Sequence, residues 1–108
     1  MATLVRTAAV SKAVFGSEHM LTIMTEIAQT PRAEFTAPAI EATTGLAGSV
    51  VHGMLGRLRR AGLVSVVGRV PGERTLEYER REHVLWQAAT QLTSEARDSL
   101  SEGEPRDL

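Results

Sequence analysis

The sequence contains no cysteine. That excludes a disulfide framework, a thiolate metal site, a cysteine nucleophile and thiol-based sensing. Long apolar runs are also missing: stretches such as Ala8-Ala9-Val10, Ala13-Val14-Phe15 and Val84-Leu85-Trp86 fall far short of the roughly 20 residues a membrane helix needs. No transmembrane span is expected. The first residues hold Arg6 and Lys12 but no apolar block leading to a small-residue cleavage site, so the expected location is cytoplasmic. The usual marks of catalysis are lacking too. There is no glycine-rich phosphate loop, no carboxylate cluster at metal-site spacing and no nucleophile elbow. His19, His52 and His83 stand too far apart in sequence for a local metal motif. Neither an enzyme nor a bound metal or cofactor is expected.

What remains has the composition of one soluble domain. The 108 residues are 43% apolar and 23% charged, which argues against wholesale disorder and leaves roughly 80 residues for a core once the ends are set aside. The net charge of −1 hides a strong asymmetry along the chain. Residues 1–56 sum to −1. Residues 57–81 carry Arg57, Arg59, Arg60, Arg69, Arg74, Arg80 and Arg81 against Glu73, Glu77 and Glu79, a net +4. Residues 82–108 sum to −4, so an acidic end masks a basic segment.

Periodicity places the elements. Leu4 to Phe15 is helix-compatible, with Leu4, Val5, Ala8 and Ala9 able to share a side and Gly16 breaking the junction. From Ser17, the residues Met20, Ile23, Met24, Ile27 and Ala28 keep helical spacing until Thr30-Pro31 stops the run. Glu34-Phe35-Thr36 is a short extended segment. Thr36 can cap a helix that tolerates Pro38 in its first turn and runs to about Thr44. Gly45 supplies a positive-φ turn, and Ala47 to Ala61 forms the next helix, with Val51, Met54, Leu55 and Leu58 inward and Gly62 at its end. Leu63–Val70 and Thr75–Tyr78 read as strands around the turn Pro71-Gly72. From His83 a final helix places Val84, Leu85, Ala88, Ala89 and Leu92 on a stripe that includes Trp86. Lone Trp86 and the methionines Met20, Met24 and Met54 read as core. The domain is expected over residues 1–93, and the acidic segment 94–108 is expected to fray or be disordered.

The order helix, short strand, helix, tight turn, helix, hairpin, helix resembles the winged helix-turn-helix of bacterial transcriptional regulators, ArsR-like and MarR-like repressors in particular. The resemblance is carried by Phe35-Thr36-Ala37-Pro38-Ala39-Ile40, by Thr44-Gly45-Leu46 and by Val51 through Leu55-Gly56-Arg57-Leu58-Arg59-Arg60-Ala61-Gly62-Leu63-Val64. The Arg69–Arg74 wing completes it, and about half the chain is covered. It implies a mainly α fold with a small β-hairpin, extended by terminal helices. In such proteins the position four residues before the turn glycine is usually small, whereas here it is Glu41. Either the helix is rotated slightly or Glu41 lies at its edge.

This resemblance implies a sequence-specific, double-stranded-DNA-binding regulator, a repressor acting as a homodimer through its terminal helices. DNA recognition needs a helix whose N-terminal end enters the major groove and positive charge for the flanking phosphates. The candidate groove-facing residues are Ala47, Gly48, Ser49, Val50, His52 and Gly53. Ser49 and His52 can hydrogen-bond, Val50 can meet a thymine methyl, and the small residues permit close approach. Arg57 is a candidate phosphate contact, and Arg69 and Arg74 flank the tip of the wing. Two other readings stay open. A winged-helix protein-interaction module suits the near-zero net charge and the small recognition face, and a ligand-sensing repressor would add an effector of unknown identity.

Overall fold

A computed structural model of the chain describes residues 2–101, with side chains described over residues 6–98. In chain order the elements are α1 (Ala2–Phe15), α2 (Met20–Ala28), β1 (Glu34–Thr36), α3 (Ala37–Thr44), α4 (Gly48–Arg60), β2 (Val64–Arg69), β3 (Leu76–Arg80) and α5 (Val84–Ser101). The fold is mainly α with a small antiparallel sheet, as expected. The segment 34–36 does more than connect. It pairs with β3, so the hairpin becomes a three-stranded sheet in the order β1-β3-β2. Phe35 and Tyr78 are register partners, and their rings stack at 5.7 Å.

The core is organised on α2, which buries Met20, Leu21, Ile23, Met24, Thr25 and Ile27. The helices α1, α3, α4 and α5 all pack on it. Ile40, Val51, Leu55 and Leu58 from α3 and α4 complete the same cluster. Full burial of each large aliphatic side chain is worth about 1.5–3 kcal/mol, so register along this helix is tightly set. Its C-terminal carbonyls are served from the sheet. The Arg80 guanidinium donates to the Ile27 carbonyl at 2.6 Å and to Thr30 Oγ1 at 2.8 Å, binding β3 to the end of α2.

The two terminal helices turn different faces inward from those their apolar residues suggest. In α1 the buried positions are Thr7 and Ser11, while Ala8 is half-buried and Ala9 exposed. The side chains of Leu4 and Val5 lie outside those described. The Ser11 hydroxyl explains the choice: it donates to the Ser17 carbonyl and accepts from the Leu21 amide at 2.9 Å, closing the corner after Gly16. In α5 the inward stripe is Trp86, Ala89, Thr93 and Ala96, whereas Val84 and Ala88 are exposed and Leu85 and Leu92 half-buried. Trp86 Nε1 donates to the Arg81 carbonyl at 2.6 Å, and Thr93 pairs with Thr25 at 2.8 Å, together setting the rotation of α5.

Helix α5 continues past residue 94 to Ser101. Ala96 is buried on its inward side. Residues 102–108 of the expected tail lie outside the described residues.

Replacing Arg80 by alanine strips two hydrogen bonds from the end of α2 and is expected to lower stability by about 1–3 kcal/mol. Urea unfolding followed by circular dichroism checks this. An unchanged midpoint would mean that the Thr30 amide and hydroxyl, which also donate to the Ile27 carbonyl at 3.2 and 2.9 Å, suffice without Arg80.

Candidate nucleic-acid interface

The helix-turn-helix is built from local signals. Thr36, in extended conformation, caps α3 by accepting from the Ala39 amide at 3.3 Å, with Pro38 in the first turn. Gly45 ends the helix at φ 74°, a left-handed conformation that favours glycine. Leu46 then packs against the core, and α4 begins at Gly48. Helix α4 buries Val51, Leu55 and Leu58 and points its opposite face outward.

Glu41 proves to lie at the edge of α3, half-buried against the first turn of α4. A Cβ on Gly48 would stand 3.3 Å from Glu41 Oε2, so the missing side chain at position 48 makes room for the carboxylate. Ala47, the residue before α4, supplies no side-chain cap, and an acid beside a helix N-terminus has a favourable interaction with the helix dipole. His52 Nε2 lies 4.0 Å from the same Glu41 oxygen.

The outward face of α4 is bare. Ser49, His52 and Gly53 are exposed, Ala47 is exposed just ahead of them, and Gly48 and Val50 are half-buried. Val50 packs at the margin of the core, so less of it is presented than a fully outward position would allow. A Cβ on Gly53 would meet nothing within 4 Å, and one on Gly56 would meet only the far end of Arg60 at 3.5 Å. Interior packing therefore gives no reason for glycine at either position, although each lowers helix stability by about 1 kcal/mol relative to alanine. Gly56 and Arg60 continue the line of Ser49 and Gly53 along the helix, and the sequence reading did not include them in the face. The Gly48, Gly53, Gly56 spacing was the available signal.

The wing is a closed structure. Val70 and Thr75 join across the turn at 2.9 Å, the Glu73 amide donates to Val70, and Gly72 takes φ 79°. Arg69 Nη1 donates to the Arg74 carbonyl at 3.0 Å, which holds both arginines near the tip. Arg69, Arg74 and His52 line one cleft of about 370 Å³ with Pro38 and Tyr78, between the start of α3, the outer face of α4 and the wing. The structure thus brings His52, Arg69 and Arg74 together. It leaves Arg57 apart, donating to the Phe15 carbonyl at the end of α1 at 3.0 Å while its side chain stays exposed. Among the described residues, no group of three or more histidine, cysteine or acidic side chains is placed to hold a metal ion.

Gly53→Ala is expected to raise stability by about 0.5–1 kcal/mol, read from thermal melting; a loss would show that the bare face is required for folding. Gly48→Ala crowds the Glu41 carboxylate, and Glu41→Ala relieves it. A double-mutant cycle of the two should therefore be non-additive, with a coupling of about 0.5 kcal/mol or more. Strict additivity would show that the two positions do not share this contact.

No protein-family model and no curated protein matches the sequence. Solved structures do match. The apo form of wild-type MarR from E. coli superposes with a TM-score of 0.72 at 13% identity, covering 97% of this chain and 78% of MarR. The organohalide-sensing transcriptional regulator RdhR-CbdbA1625, in its 2,4-dichlorophenol-bound form, gives 0.70 at 12% identity, covering 94% of this chain and 63% of that one. The shared feature at such low identity is the fold, and the chain is a winged-helix protein of MarR-like architecture.

Proposed function

We propose that the chain is a transcriptional regulator that binds double-stranded DNA sequence-specifically as a homodimer and acts as a repressor. The observation that carries this reading is the bare outer face of α4, whose glycines at 53 and 56 answer to no packing need inside the chain. A helix with glycines at such outward positions, on the face that carries Ser49 and His52, can approach the floor of a groove closely. The basic wing stands beside it, with Arg69 and Arg74 offering charge to phosphates or to the minor groove. The MarR-like fold supports the same role by analogy.

The terminal helices support a dimer. Val14 and Val84 are 58% and 72% exposed, and Leu85 and Leu92 remain half-buried on α5. Pairing these faces across a two-fold axis would cover them and set the two copies of α4 about 34 Å apart, one turn of DNA. Sedimentation is expected to show a dimer at micromolar concentration, and a monomer alone would remove this part of the reading.

One observation favours a second reading, that of a protein-docking module: the acidic Glu41 lies where α4 begins, a place DNA phosphates would otherwise approach. Binding to random duplex DNA across a salt series separates the two. The DNA-binding reading expects salt-sensitive binding, weakened for every sequence and flattened in its salt slope by Arg69→Ala and Arg74→Ala. Unchanged affinity and slope in both variants would take the wing out of the interface, and no binding at low salt would favour a protein partner.

A further inference from the structure

The Glu41 carboxylate is an unusual group to find beside a helix that is proposed to enter DNA. It is a third exposed, it sits over the side-chain-free Gly48, and no described residue donates a hydrogen bond to it. His52 Nε2 stands 4.0 Å from one of its oxygens. A carboxylate carries two acceptor oxygens and, when ionised, no donor. Against phosphates it only repels, so at a DNA surface it is tolerated where a base presents it with a donor.

Resting on the DNA-binding reading above, we propose that Glu41 is a specificity-determining residue that selects cytosine in the major groove. Of the four bases, cytosine offers there an amino donor and no acceptor. Guanine presents two acceptors and thymine one, and adenine sets its amino group beside the N7 acceptor. The adjoining His52 adds a ring N–H that can donate to O6 or N7 of the paired guanine. Acceptor and donor stand 4.0 Å apart on the protein, and a C·G pair presents a donor and acceptors along one major-groove edge. Of the remaining leading residues, Ala47, Gly48, Val50 and Gly53 carry no polar side chain, and Ser49 adds a single hydroxyl.

The test is selection from randomised duplexes with the full-length wild-type chain, Glu41→Gln and Glu41→Asp, each checked by thermal melting. Wild type is expected to enrich a cytosine at one position of each half-site, by a factor of about 5 to 150 over the other bases. Glutamine both donates and accepts, which suits adenine N6 and N7, so Glu41→Gln should move the preference at that position from cytosine to adenine. Glu41→Asp keeps the charge on a shorter arm and should lose the preference without the general gain in affinity that charge removal brings. If Glu41→Gln tightens binding to all sequences equally and leaves the half-site unchanged, Glu41 merely repels phosphate and the proposal is overturned. A wild-type chain that retains no duplex at low salt overturns the DNA-binding reading itself, a failure recognisable before any variant is made.

Discussion

Burial of α2 is the constraint on which the rest of the structure depends. Nine residues long, the helix has Met20, Leu21, Ile23, Met24 and Ile27 almost wholly removed from water and polar Thr25 buried among them. A helix so enclosed cannot rotate without exposing several large side chains, each worth about 1.5–3 kcal/mol. It therefore acts as a fixed post. The helix pair α3 and α4 gains its orientation by packing on one side, and the terminal helices α1 and α5 lie on others. Arg80 fastens the sheet to its end, so the wing inherits the same reference frame.

Around this post the two halves of the molecule are built from different materials. The terminal helices meet α2 partly through buried hydroxyls, Ser11 at the corner and the Thr25–Thr93 pair in the middle. Buried hydroxyls are directional, and leaving one unpaired is unfavourable, so these contacts fix rotation more sharply than apolar surfaces of the same size. The helix-turn-helix instead meets α2 through aliphatic side chains and leaves its outer face thin. In the proposed reading, α4 sacrifices helical stability at two glycines to keep that face open, a compromise common where a surface serves function rather than folding.

The parts legible in the sequence were those governed by nearest neighbours in the chain. Thr36, Pro38, Gly45 and Gly62 mark helix boundaries through their own backbone preferences, and Pro71-Gly72 marks the wing turn in the same way. The rotation of the terminal helices was less legible. A stripe of apolar residues identifies a helix but fixes its facing only loosely, and in α5 the deciding partner of Thr93 is Thr25, 68 positions away. In α1 polar Thr7 and Ser11 take the inward places that composition would give to alanine. Glu41 was visible as an anomaly, while its resolution lay across the turn in a glycine that composition alone reads merely as small. Arg57 reads in the sequence as a phosphate contact because nothing local reveals the Phe15 carbonyl, 42 residues earlier.

That Arg57 contact has a mechanical consequence. Helix α1 packs chiefly on α2 and α5; its connection to α4 runs through the Arg57–Phe15 hydrogen bond and, just beyond the corner, the Ser17–Met54 contact at 3.4 Å. Hydrogen bonds of this kind contribute about 1 kcal/mol each and break without opening a cavity, unlike an aliphatic seam. These two bonds therefore act as directional stitches between the terminal layer and α4, beside the apolar packing of Phe15 and Met54 on the shared core. Substitution at Arg57 would cut one of them without emptying any part of the buried post beside it.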